Sequence, residues 1–271
     1  MSRSQQPALT LFAIGLIGLG ILALIYGDFA LVWQPVAPWV PGRTFLAYAS
    51  GLLMLFGGIG LLFSATAKWS ARILFPYLII WALLKVPALV VAPQIEAVWL
   101  GFGELAILLS GGWILFATIA EIPQDSVLAF ATGERGLRIA RYLFAVAVIP
   151  VGLSHLFYVK ETVDLVPAWL PYRTGWAYLT GLGQIASGLG VLFNVLPGIA
   201  ACAEAGMISI FTLLVWGPKI VASPKTRLFS TAFFISWIIA AAAWLVAQSI
   251  VKKQSAKLNT AHTTDSVAAR V

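Results

Sequence analysis

The sequence predicts an all-α membrane protein, with eight transmembrane helices arranged as two tandem four-helix bundles. Three observations carry that expectation. The 271-residue chain is 61% hydrophobic and only 10% charged, against about 25% charged residues in an ordinary soluble domain. Its apolar residues fall into runs of about 20, the length that crosses a hydrocarbon core as a helix. The chain also repeats itself: APWVPGRTFLAYASGLLMLFGGIGLLF at 37–63 returns as PAWLPYRTGWAYLTGLGQIASGLGVLF at 167–193. Trp39/Trp169, Pro41/Pro171, Arg43/Arg173, Tyr48/Tyr178, Gly51/Gly181, Gly58/Gly188 and Phe63/Phe193 are among the shared positions. These are Gly, Pro, aromatic and charged residues, which apolar composition alone would not align.

The eight runs lie near 8–27, 44–64, 71–92, 98–118, 139–159, 174–194, 198–221 and 228–250. Irregular backbone facing lipid would leave amides unsatisfied, so each run is expected to be helical. The first follows a lone Arg3, is longer than a signal-peptide core and has no clean small-x-small site after it. It is expected to be retained as a span. The second opens on Arg43-Thr44, the third contains Lys85 and the fourth Glu104. These four make a first repeat over 1–120, and the polar stretch 121–138 reads as a cytoplasmic linker. The fifth run carries His155, the sixth Gln184 and the seventh Glu204; with the eighth they form a second repeat over 139–250. Residues 251–271 read as a polar, poorly ordered tail.

Pro87/Pro218, Pro93/Pro224 and Trp113/Trp244 extend the repeat at an offset of 131, so one residue has been inserted between positions 194 and 213. Four spans is an even number, so both halves enter the membrane in the same direction, with a symmetry axis along its normal. With the N-terminus inside, ten Lys and Arg face the cytoplasm and seven the opposite side. This bias predicts both termini cytoplasmic. The net charge of +7 sits at the ends of apolar runs rather than on one surface, so no nucleic-acid partner is expected. The lone Cys202 has no intrachain partner and reads as a packing residue.

In the second half a Gly-x-x-His (Gly152, His155) is followed by a Pro-Ala-Trp-x-Pro loop (Pro167, Ala168, Trp169, Pro171) and Tyr178. This pattern resembles the DoxX-like family of bacterial integral membrane proteins. The resemblance covers 139–250 well and 9–118 less fully, where Ile25 is read at the His position and the loop is Ala37-Pro38-Trp39. It implies four-helix membrane bundles in the bacterial inner membrane. The family takes its name from a subunit associated with thiosulfate:quinone oxidation, and most members have no assigned activity. The implied chemistry is that of a membrane subunit or small-molecule-binding component of redox metabolism. No resident cofactor or metal is expected, and quinone is the ligand to consider. Partners are the bilayer and a soluble or membrane oxidoreductase. A transporter with a path between the repeats and a purely structural membrane partner are the alternatives. No enzymatic activity follows from the sequence.

Charged groups at bilayer depth are the candidate sites, because each costs about 2.5–3.5 kcal/mol on insertion scales. Lys85 and Glu104 are expected to form an intramembrane ion pair, because both are absent together from the other repeat, as Trp216 and Ile235. A structural lock is the first reading of such a pair, and proton or ligand handling the second. His155 can titrate near neutral pH or hydrogen-bond a carbonyl, with Tyr178, Arg173 and Asp164 as expected neighbours. Arg43 and Arg173 oppose the dipoles of the helices they open, so a carboxylate such as Asp28 or Asp164, a lipid phosphate or an anionic ligand should offset them. Tyr48 and Tyr178 follow on the same helices. Gln184 replaces Met54, and Glu204 is expected to reach water at an inner helix end. His262 lies in the tail, and no ligand spacing supports a metal. The G-x-G-x-x-A matches at 101–106 and 181–186 fall inside apolar runs and cannot be dinucleotide loops.

Overall fold

A computed structural model describes residues 6–268, with side chains described from 7 to 256. Among the described residues the regular structure is helical throughout. In chain order the helices are α1 (Gln6–Tyr26), α2 (Arg43–Leu62), α3 (Ser64–Val91), α4 (Glu96–Ile119), α5 (Gly133–Phe157), α6 (Val159–Leu165), α7 (Arg173–Leu192), α8 (Pro197–Phe211), α9 (Gly217–Ala222) and α10 (Arg227–Ala268). A π-helical turn, Thr212–Trp216, joins α8 to α9. Among the described residues seven helices are long and apolar enough to cross a membrane, with α8, the π turn and α9 counted as one. The eighth long helix, α7, has 20 residues. Its Thr180, Gln184 and Ser187 lower its hydropathy, and the last two are buried inside the protein.

Three boundaries differ from the sequence reading. Helix α5 starts at Gly133, inside the stretch read as a linker through 138. Gly133 adopts left-handed backbone, at φ 57, which lets the chain turn directly into the helix. Helix α10 does not stop at 250 but continues to Ala268, because no Pro or Gly interrupts 251–268. Between α5 and α7 a short helix, α6, replaces the expected loop.

The halves make matching contacts. Helix α2 crosses α1 so closely that a Cβ on Gly58 would lie 2.8 Å from the Ala13 carbonyl oxygen, and α7 crosses α5 with Gly188 2.8 Å from that of Ala145. Gly20 against Gly51 is matched by Gly152 against Gly181. Small residues allow this approach, which gives dispersion contacts where lipid supplies no hydrophobic drive. These contacts set the register of the first helices at an offset of 132, so Ala23, not Ile25, is the counterpart of His155. The sequence comparison carried the offset of 130 from the α2/α7 segment backwards through loops of unequal length.

Farther along, Gly60 meets Ser70 and Gly190 meets Ala200, still at 130. Pro87 and Pro218 are 131 apart. The extra residue therefore enters between these points, and the π turn at Thr212–Trp216 lies there. An inserted residue inside a helix is accommodated as an i→i+5 bulge.

Helices α4 and α10 sit at the centre, where Gly111 packs on Ala242, its own counterpart. Helix α4 packs on α5 and α10 packs on α1, so each half's fourth helix lies against the other half's first. Phe234 fills the space left by Gly18, and at the matching crossing Pro150 fills the space at Gly103. The central seam is solid: Leu105, Ala106, Ile107, Leu108, Ala242 and Ala243 are fully buried.

Polar anchors close both ends. At one end Asp28 accepts from Arg227 (Nη1–Oδ2 3.0 Å) and pairs with Arg43, joining the two halves. Burial pushes the Asp28 carboxyl up, but hydrogen bonds from Arg227 and Arg43 outweigh it and hold the group below its ordinary 3.8. At the other end Arg72 donates from Nε to the Ala120 carbonyl at 2.7 Å and from Nη2 to that of Glu121 at 2.7 Å. A cation there satisfies the carbonyls just beyond the end of α4 and complements its dipole.

Candidate functional site

Arg43 and Arg173 hold equivalent places. Each follows a residue in left-handed backbone, Gly42 (φ 65) or Tyr172 (φ 54). Each donates from Nε to the carbonyl seven residues earlier, Val36 at 3.2 Å or Val166 at 3.0 Å. Arg43 also has the expected carboxylate, Asp28. Arg173 does not pair with Asp164; a second donation to the Val163 carbonyl takes that role. Both arginines are thus committed to clamping the preceding loop. Tyr48 and Tyr178 are 41% and 45% exposed on the outer faces of their helices. Neither tyrosine and neither arginine joins His155.

Lys85 and Glu104 do not make the expected direct ion pair, although the two charges still attract one another. Lys85 donates to the Val32 carbonyl at 2.7 Å, and its ammonium lies beside Gly101, near the start of α4 and three residues before Glu104. Val32 has φ 65, and this turn of the α1–α2 loop presents its carbonyl to the amine. Glu104 instead faces the second half.

There it lines a cavity of about 310 Å³ together with His155, Tyr158, Thr180, Gln184 and Trp216. Helix α4 of the first half thus contributes to a site otherwise built from α5, α6, α7, α8, the π turn and α10. That size is at the lower end of small-ligand pockets. Glu161 stands exposed at its mouth. A second, apolar groove of about 550 Å³ runs alongside, between Leu170, Trp176, Leu179, Ile210 and Leu214. Thr162, Thr180, Met207 and Phe211 line both spaces.

The chemistry of the wall follows from its hydrogen bonds. The Thr180 hydroxyl donates to the carbonyls of Trp176 (2.9 Å) and Ala177 (3.1 Å), so its oxygen accepts from His155 Nδ1 at 2.9 Å. This fixes the Nδ1–H tautomer and leaves Nε2 with a lone pair. Tyr158 Oη accepts from the Ala97 amide at 3.2 Å, which leaves its own proton to donate. The Trp216 Nε1–H and Gln184 Oε1 are buried without partners. Donors (Trp216, Tyr158) and acceptors (His155, Gln184) therefore surround one space.

At the equivalent place in the first half, side chains bond to one another across the space, for reasons visible residue by residue. Ala23 stands for His155, Ser50 for Thr180, Met54 for Gln184, Leu74 for Glu204 and Tyr77 for Met207. Gln34, folded in from the α1–α2 loop, donates to Ser50 Oγ at 3.0 Å and Tyr77 Oη at 2.8 Å, and its Oε1 accepts from the Ala30 amide at 3.0 Å. Trp81 packs edge-on against Tyr77, and Trp33, next to Gln34 in the loop, is buried. The first half is plugged by its own residues, and the second is open.

Glu204 does not reach water. It is 0% exposed, with Gln184 and Ser187 of α7 facing it. Sequence reasoning singled out His155, Gln184 and Glu104 but missed Thr180, Tyr158 and Trp216. Trp216 reaches the cavity only through the π turn, which no residue pattern announced.

Searches against family models, curated proteins and solved structures found no match for this chain. Fold and site define a helical protein with seven helices suited to cross a membrane. Among the described residues no group of His, Cys, Asp and Glu is arranged to hold a metal ion.

Proposed function

We propose that the chain is a multi-pass inner-membrane protein of DoxX-like type, formed by duplication of a four-helix unit. In it the second unit binds a small molecule and the first serves as scaffold. Eight spans, both termini cytoplasmic, follow from treating α7 as the counterpart of α2. The supporting observations are the shared Arg clamp, the matched glycine crossings and α4 and α10 meeting about a common axis.

One observation carries the functional reading: polar groups without partners, Gln184 Oε1 and Trp216 Nε1–H, line a cavity that is plugged in the other half. Buried polar atoms are ordinarily paired, so their partner is a ligand with both acceptor and donor positions. The adjoining apolar groove suits a hydrocarbon substituent. A quinone meets this description, with carbonyls that accept from Trp216 and Tyr158 and, when reduced, hydroxyls that donate to His155 Nε2 and Gln184. Its electrons would come from an oxidoreductase partner. The solid packing of the α4–α10 seam gives no support to a path between the halves.

Native mass spectrometry of the purified chain with its bound lipids tests this reading. A quinone retained by the wild type and absent from Gln184→Met supports it. Retention of phospholipid alone, equal in both, overturns it.

A further inference from the structure

Beneath the cavity lies a group that the ligand reading does not use. Glu204 is fully buried on α8, four residues below Ile208 of the cavity wall. Neither of its carboxylate oxygens has a hydrogen-bond partner, and Oε1 of Gln184, the side chain that faces it from α7, has none either. Ser187 of α7 is the other polar side chain facing it. No cation from α7, α10 or α8 itself makes an ion pair with it among the described residues. His155, Glu104, Glu161 and Tyr158 are the titratable groups that line the cavity with Gln184, whereas Glu204 does not line it.

Three acceptor oxygens on two neighbouring side chains, both carboxylate oxygens of Glu204 and Oε1 of Gln184, are thus buried without a hydrogen bond. One added proton resolves this. A neutral carboxylic acid supplies an O–H, and an amide carbonyl accepts it. Rotating the Gln184 amide would offer the carboxylate an N–H instead, since the two amide ends are assigned by their surroundings. But one amide and one hydroxyl do not offset removing a full charge from water, where unpaired ions are held neutral instead. Nor do Glu204, Gln184 and Ser187 supply the six or so oxygens, with roughly octahedral or larger shells, that a bound hard cation takes.

We propose that Glu204 is a membrane-interior proton-binding site, whose carboxylic acid donates to one of the two lone pairs of Gln184 Oε1 in the floor of the cavity and leaves the other to the cavity's occupant. The first half supports the pairing: Glu204 and Gln184 are replaced together there by Leu74 and Met54. Gln184 touches both Glu204 and the cavity, so it connects this proton to whatever occupies that space. The inference holds whichever molecule binds above.

Infrared difference spectroscopy on the full-length chain in detergent tests it, with circular dichroism to establish that each variant is folded. Wild type minus Glu204→Gln at neutral pH should show the carbonyl band of a neutral carboxylic acid. In Gln184→Met the same band should move to higher frequency, because the O–H has lost its acceptor. Absence of the neutral-acid band, or loss of a carboxylate band in its place, overturns the proposal. So does disappearance of the band on adding sodium, which would make this a cation site. A band that stays put in Gln184→Met also contradicts it, since the proton would then not be shared with the cavity floor. None of these outcomes depends on quinone binding.

Discussion

Asp28 shows how a single side chain can hold two halves together. It pairs with Arg43 of its own half and accepts from Arg227 of the other. Its carboxyl is held below the ordinary 3.8, so the stabilisation is present above that value and is lost as pH falls through the depressed range. Asp28→Asn should lower thermal stability in detergent by about 1–3 kcal/mol at neutral pH, the scale of hydrogen bonds to charged groups. The variant's stability should also respond less to acidification than the wild type's. An equal acid response in both would show that the anchor contributes nothing. Lys85 gives a contrasting case. The joint absence of Lys85 and Glu104 from the other half made a mutual pair the economical reading, yet the loop carbonyl of Val32 takes the lysine. A double-mutant cycle on Lys85→Met and Glu104→Gln should therefore show coupling below about 1 kcal/mol; a larger value would restore the pair. Sequence could not reveal this competition, because any residue type at 32 provides a carbonyl.

At the scale of helices, the close crossings were legible and their detailed registers were not. Gly51, Gly58, Gly181 and Gly188 repeat in sequence, and all four sit at α1/α2 or α5/α7 contacts. Gly58→Leu should cost about 1–3 kcal/mol or more, as overpacking does, because even a Cβ meets backbone of α1 at 2.8 Å. Thermal unfolding of the variant in detergent checks this; wild-type stability would show that the helices separate freely. The insertion in the seventh span was also legible from the change in offset, but its form as a π turn was not. Deleting Leu214 should remove the bulge, turn the residues after it by about 100° relative to α8, and carry Trp216 out of the cavity wall. The deleted chain should still fold but bind ligand more weakly. Unchanged binding would mean that Trp216 is not a ligand contact.

For the whole molecule, composition and repeat pointed to an all-helical membrane protein, and the described residues hold seven helices suited to cross a bilayer. The asymmetry between halves was only partly readable. Gln184 against Met54 and Glu204 against Leu74 mark the second half as more polar, whereas the plug formed by Gln34 comes from a loop whose place in the second half is taken by helix α6. Duplication with an even number of spans predicts that reporter fusions at Val163 and Val271 lie on opposite sides of the membrane; the same side for both would refute eight spans. The central claim is that the second half is a ligand site and the first its plugged copy. Equilibrium binding of a short-chain quinone to the full chain in lipid nanodiscs tests it most directly. The wild type should bind saturably. The His155→Ala, Gln184→Met double variant, which restores the first-half residues, should bind roughly ten- to thirtyfold more weakly, as expected for losing two hydrogen bonds of about 1 kcal/mol each. Ser50→Ala in the first half should leave binding unchanged. Equal affinity in the wild type and the double variant would contradict the account.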